Sequence, residues 1–279
     1  HRAGLRQIGV YAEWFRSGLA RPMSRSPDSP PVSAAELTLG ILIECADPIT
    51  DPAELAWWAD RGVVAVGMAW VRAGRYAGGN STVLGLTDLG DHLVREMDRL
   101  GLIHDVSHLS DRSLAQLLER ADPRAKLIAS HSNARSLLAG ARTAITPECG
   151  ATPPHPPVFQ RHLPDDAIRE LVRRGGVIGL NLFSPFLIPG GSRERRATVA
   201  EALAHVEHIC GIAGDRRHVG LGSDMDGGFS AAMLPEGIDT PGDLAVLGEG
   251  LRDRGWNDAE VEDFFLGNWL RILTPEAGA

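Results

Sequence analysis

Cysteine is scarce in this chain of 279 residues: Cys45, Cys149 and Cys210 are odd in number, widely spaced and form no Cys-x-x-Cys pair. Neither a disulfide framework nor a thiolate zinc site is therefore indicated, and the three read as reduced thiols. Long apolar runs are missing as well. No stretch approaches the ~18 apolar residues a membrane span needs, and the first residues show no signal-peptide pattern. A soluble, cytoplasmic protein is the expectation. Positive charge is neither abundant nor clustered: 28 Lys and Arg stand against 36 Asp and Glu, giving a formal net charge of -8. The densest cationic stretch is Arg193-Glu194-Arg195-Arg196. Nucleic acid and anionic membrane surfaces are thus excluded as partners, a small solute is expected, and a homodimer is the only protein partnership considered. The sequence also lacks a Gly-x-Ser-x-Gly elbow, a phosphate-binding loop and internal repeats.

What is present is an alternation of apolar runs and helical patterns. The runs 39–44, 63–68, 102–107, 126–130, 177–182 and 219–223 are rich in Val, Ile and Leu and lack polar alternation, as strands covered on both faces do. Helical patterns lie near Pro52–Gly62, Asp88–Gly101, Asp111–Ala121, Asp165–Gly175, Thr198–Gly214 and Asp243–Gly255, several opened by Asp or Thr and closed by Gly. Residues 1–20 pattern as a helix, and 257–273, with Phe264, Phe265 and Trp269, as a terminal packing helix. The spacing predicts a single α/β domain over residues 1–279 with six parallel strands, either an open doubly wound sheet or an incomplete eight-stranded barrel. Residues 22–36 are Pro/Ser-rich and read as a loop, and 136–160, with five prolines, reads as an insertion beside the site.

Four polar residues end apolar runs: Glu44 after Leu39-Gly40-Ile41-Leu42-Ile43, His108 after Leu102 to Ser107, His131 after Lys126 to Ser130, and Asp224 after Val219 to Ser223. In a parallel α/β barrel such positions converge at the carboxyl ends of the strands, where active sites are built. A divalent metal in a hydrolase needs neutral imidazoles and carboxylates on rigid elements, with one position open to water. His108 and His131 meet that demand. Glu44, in an apolar strand, would be a costly buried charge unless it met a cation, so it reads as a ligand able to bridge two metals or as the partner of an Arg. Asp224 is placed to act as general base at the metal's water and then to protonate the leaving amine; an Asp-Gly turn accounts for Asp226 and Gly227 but less well for Asp224. Arg161 precedes a helix start and can offer a bidentate fork to a substrate carboxylate. His104 reads as structural, Trp57 and Trp58 as packing, and His205 with His208 as a solvated helix face.

The stretches Gly85-Leu86-Thr87, Arg95-Glu96-Met97-Asp98-Arg99-Leu100-Gly101, Asp105-Val106-Ser107-His108-Leu109-Ser110-Asp111, Ala129-Ser130-His131-Ser132-Asn133-Ala134-Arg135, His218 to Gly227 and Gly267-Asn268-Trp269-Leu270-Arg271 closely resemble the membrane (renal) dipeptidase family of zinc peptidases. The resemblance covers about residues 37–273, in order. It implies a (β/α)8 TIM-type barrel of the amidohydrolase superfamily, two zinc ions per subunit and dipeptide hydrolysis, including dipeptides with a D-residue or dehydro-residue at the C-terminal position. Position by position, Glu44 resembles the bridging glutamate, His108 and His131 the histidines of the second metal, Arg161 the arginine on the substrate carboxylate, and Asp224 the aspartate at the catalytic water. Two features implied by the resemblance are not in this sequence. The His-x-Asp pair of the family's first strand is absent, as if the first one or two β/α units were missing. Trp70 stands where a carbonyl-polarising histidine is implied. The readings to be separated are therefore a zinc dipeptidase, another amide or ester hydrolase with the same centre, and a metal-poor, catalytically inactive binding or scaffold homologue.

Overall fold

The computed structural model describes residues 1–26, 32–33, 35–138, 158–189 and 194–274. Most of the 136–160 insertion, and Cys149 within it, lies outside the described residues. The chain forms two compact units, His1–Lys126 together with the segment from Arg271, and Leu127–Leu270.

The first unit opens with α1 (Arg2–Ser17), closed by Gly18 in the left-handed conformation, the usual glycine stop. β1 (Arg21–Pro22) and β2 (Thr38–Leu39) then pair in parallel. This short ladder departs from the all-loop reading of 22–36 and splits the predicted 39–44 strand. Gly40 separates the two halves where a Cβ would come within 2.9 Å of Val64 Cγ2. β3 (Ile41–Ile43), α2 (Leu55–Ala59), β4 (Val63–Gly67), α3 (Asp88–Leu100), β5 (Ile103–Asp105) and α4 (Asp111–Arg120) follow in the anticipated order. All five residues of β4 are buried, which explains its lack of polar alternation. Parallel register runs Ile43↔Val66 and Val66↔His104. Helix starts are set by hydroxyl caps: Thr87 Oγ1 accepts from Gly90 N and Ser110 Oγ from Ser113 N, satisfying amides that have no partner within the helix.

In the second unit β6 (Leu127–Ala129), α5 (Asp165–Arg173), β7 (Val177–Leu180), α6 (Val199–Ala213) and β8 (Val219–Leu221) repeat the pattern, with Ile178 paired to Val219 and Leu180 to Leu221 in parallel. α7 (Ala245–Arg252) and α8 (Asp258–Glu262) lead into a π turn, Asp263–Gly267, and α9 (Asn268–Leu273). The terminal helix predicted over 257–273 is thus interrupted. The turn still buries Phe264 completely, and Asn268 Nδ2 and Trp269 Nε1 donate to the Val219 and Leu221 carbonyls of β8 at 2.9 and 3.0 Å. The result is an α/β fold on parallel strands in chain order. No helix among the described residues is long and apolar enough to cross a membrane.

A cavity of about 590 Å³ opens at the amino ends of β4 and β5, away from their carboxyl ends, among Val64, Ile103, Arg25, Arg124 and Lys126. Its cations already have partners. Arg25 donates to Leu100 O, Arg124 pairs with Asp122, and Lys126 donates to the Ile272 and Thr274 carbonyls.

His205 overturns the solvated-face reading, for it is fully buried. It shares the i, i+3, i+7 stripe of Ala202 and Ile209, a register outweighed in the sequence by the neighbouring Glu201 and Glu207. Its Nδ1 accepts from Ala134 N at 3.2 Å and its Nε2 lies 3.3 Å from Leu187 O. Half-buried His208 instead meets Asp165 and Ser136. Burial lowers the His205 pKa from 6.5 to about 4. The unfolded chain therefore binds the extra proton first, and this contribution, at most about 3 kcal/mol, is whole above pH 6.5 and is lost as pH falls toward 4. His205→Gln keeps an acceptor and a donor without the titration. Urea unfolding from pH 7 to 4 is expected to show a shallower loss of stability than in the wild type; equal slopes would contradict the assignment.

Candidate metal centre

In the first unit, β3 ends one residue before Glu44 and β5 ends three residues before His108. Neighbouring parallel strands end in step, so both side chains reach the same end of the sheet. Glu44 Oε1 lies 3.1 Å from His108 Nε2. His108 is buried, whereas the Glu44 side chain is 44% exposed. The expected buried glutamate is thus corrected: the strand stops at Ile43, and the carboxylate stands in the mouth, where water offsets its charge. Its carboxylate meets a histidine. On the far side of the ring, His108 Nδ1 lies 3.0 Å from Asn80 Oδ1. Trp70, 51% exposed, tilts over the same ring with centroids 6.1 Å apart. His104 is structural, as expected: it is buried, with Nε2 2.8 Å from Asp98 Oδ1 on α3.

In the second unit His131 follows β6 by two residues, buried, with Nδ1 2.7 Å from Ser130 Oγ. The strand ends around it are pressed together. A Cβ on Gly179 or Gly222 would sit 2.0 or 2.1 Å from Ser130 O, so only glycine permits that approach. Asp224 lies three residues past the end of β8, and its Oδ2 accepts from Asn181 Nδ2 at 2.9 Å. The turn reading holds for Asp224 too, since Gly227 N donates to Asp224 O at 2.9 Å. Arg161, the last residue of a 3-10 turn, is buried rather than a surface charge; Nη1 donates to Ser132 Oγ at 3.1 Å and the guanidinium lies 5.3 Å from the Phe186 ring centroid.

Backbone strain marks the same places. The non-glycine residues with positive φ among those described are Cys45 at 64°, His108 at 66°, Asp224 at 55° and Asp226 at 69°. Each is a candidate site residue or lies within two residues of one, in a region that ordinary side chains avoid. Three amides escaped the sequence reading: Asn80, Asn133 and Asn181. The last had a visible signal, a polar residue in the apolar run 177–182, which needs a partner when buried. The Asn181 side chain donates to Asp224 Oδ2 at 2.9 Å and accepts from Phe183 N at 2.7 Å, while Asn133 holds its backbone: Oδ1 accepts from Asn181 N at 3.1 Å, and Nδ2 donates to Asn181 O at 3.1 Å and to Phe186 O at 3.0 Å.

The sequence model of the family described as membrane dipeptidase, peptidase family M19, matches residues 28–148 and 157–277. An uncharacterized dipeptidase of Schizosaccharomyces pombe is 31% identical over 70% of this chain and 41% of its own length. Dipeptidase 3 of Rattus norvegicus is 30% identical over 69% of this chain and 34% of its own length. The chain thus spans well under half of these relatives. Among solved structures, a metallopeptidase from Rhodobacter sphaeroides, liganded with a phosphinate mimic of L-Ala-D-Ala, superposes with a TM-score of 0.71 at 27% identity, covering 85% of this chain and 63% of its own. A dipeptidase of the same M19 family gives a TM-score of 0.77 at 25% identity over 96% of this chain and 75% of its own.

Asn133 is the pivot that holds Asn181, and through it Asp224. Asn133→Leu leaves one N–H and two carbonyls without these side-chain bonds. At about 1–3 kcal/mol for each buried group left unsatisfied, urea unfolding is expected to show a loss of about 3 kcal/mol or more, and a loss under about 1 kcal/mol would contradict this role.

Proposed function

Since the chain belongs to the membrane dipeptidase family, we propose that it acts as a zinc-dependent dipeptidase, with Glu44, His108 and His131 as metal ligands. The observation that carries the proposal is the Glu44–His108 contact. Two donors bonded at about 2.0–2.1 Å to one tetrahedral zinc stand about 3.3 Å apart, close to the 3.1 Å between Glu44 Oε1 and His108 Nε2. The donor chemistry agrees, since a carboxylate and imidazoles are the ligands that a hydrolytic zinc takes. One carboxylate and two imidazoles leave a fourth position open, as catalytic zinc requires; a second ion would need ligands beyond these three. The ion would act as a Lewis acid toward the peptide carbonyl and toward water.

The remaining steps belong to the chain's own groups. Asp224, its Oδ2 tethered by Asn181, keeps Oδ1 to take a proton from the attacking water and later deliver it to the leaving amine. Arg161, a buried guanidinium, offers paired N–H donors to the substrate's terminal carboxylate, where exclusion of water strengthens the contact. Both are roles proposed from their environment and family position. Trp70 supports a second reading, a metal-poor binding homologue or a hydrolase of another amide or ester. An indole stands beside His108 where the family resemblance implies an imidazole, and it cannot become a cation.

Metal-depleted protein, reconstituted with zinc, would be assayed on L,L- and L,D-dipeptides, L-Ala-D-Ala among them, and on their C-terminal amides. Turnover of the free dipeptides is expected, abolished by a chelator, restored by zinc, and at least tenfold weaker on the amides, which lack the carboxylate. Turnover that ignores the chelator contradicts the metal role. Zinc binding without hydrolysis of any dipeptide favours the second reading.

A further inference from the structure

We infer that Asn80 is the positioning residue for His108: its amide oxygen accepts the Nδ1 proton and commits Nε2 to the metal. The inference rests on the proposed metal at Glu44 and His108. Asn80 is 1% exposed, on the long segment between β4 and α3, and its Oδ1 lies 3.0 Å from His108 Nδ1. A carbonyl oxygen can only accept, so a proton is held on Nδ1, and Nε2, 3.1 Å from Glu44 Oε1, is the nitrogen left to the metal.

The surrounding chain fixes this contact from both sides. Ser81, next to Asn80, donates to Val71 O from both its backbone N and its Oγ, at 2.9 and 2.6 Å. Gly79, on the other side, runs so close to Trp70 that a Cβ would lie 2.0 Å from its carbonyl oxygen. Gly79 bridges to Leu109, the residue after His108. Ser110 N and Ser113 Oγ both donate to Gly78 O, at 3.0 and 2.9 Å. The backbone around Asn80 is therefore stitched to the backbone around His108. His108 itself is bent to a φ of 66°, which swings its ring between the amide and the carboxylate. A buried Asn that served the loop alone would not need register with the histidine's own segment. Outer partners of this kind orient ligating histidines, and their removal weakens metal affinity by roughly 10- to 100-fold.

The test is titration of metal-depleted protein with cobalt(II), read by its visible ligand-field absorption, for wild type, Asn80→Leu, Asn80→Asp and His108→Ala, with urea unfolding of each metal-free protein in parallel. Asn80→Leu is expected to bind cobalt roughly 10- to 100-fold more weakly, and Asn80→Asp, which keeps the acceptor, to bind at least as tightly as wild type. Asn80→Leu binding with wild-type affinity, or a folded Asn80→Asp as weak as Asn80→Leu, overturns the inference. Should Asn80→Leu fail to fold, long-range proton–nitrogen spectra of the zinc-loaded wild type decide: a protonated Nδ1 on His108 supports the inference, and Nδ1 on the metal overturns it. Failure of the underlying metal reading looks different, because wild type and His108→Ala then bind cobalt equally or not at all, which removes both.

Discussion

The left-handed bend at His108 is the constraint on which the first half of the site depends. At a φ of 66° a residue with a Cβ is held against its preference, and surrounding contacts must over-determine it. They do so through the bridge of Leu109 to Gly79 and the two hydroxyl-capped ends of the neighbouring helices. The bend places one imidazole between an amide oxygen at 3.0 Å and a carboxylate oxygen at 3.1 Å. A helical or extended His108 would send the ring elsewhere, and Glu44 would be left as an ordinary solvated carboxylate.

The second unit solves the same problem by other means. Its strand ends converge because Gly179 and Gly222 lack side chains and admit the Ser130 carbonyl between them. Its polar groups are then fixed by amides: Asn133 holds the backbone of Asn181, and Asn181 holds the Asp224 carboxylate. Hydrogen bonds in a dry interior are costly to leave unmade, so this chain keeps Asp224 in one orientation.

Much of this was legible in the sequence because it depends on pattern. Uninterrupted apolar runs located all six longer strands, and Asp, Thr and Gly punctuation located the helices around them. Glu44, His108, His131 and Asp224 were found as polar residues closing such runs. What escaped depends on side-chain partners brought from far along the chain. Asn80 and His108 are 28 residues apart, and Asn181 and Asp224 are 43 apart; no local periodicity encodes either pair. Burial was misjudged where flanking charge competed with register: His205 lies on the apolar stripe despite Glu201 and Glu207, and Glu44 lies in the open because its strand stops one residue early. The broken C-terminal helix and the two-residue ladder of β1 and β2 fall below what spacing can resolve.

The central claim is that a carboxylate and strand-end imidazoles of this chain hold one metal ion. X-ray absorption at the zinc edge of the zinc-loaded protein tests it most directly. The account predicts a first shell of nitrogen and oxygen at about 2.0–2.2 Å without sulfur, outer-shell imidazole scattering, and a loss of part of that scattering in His108→Ala and again in His131→Ala. A sulfur-containing shell, or imidazole scattering unchanged by both substitutions, would contradict it.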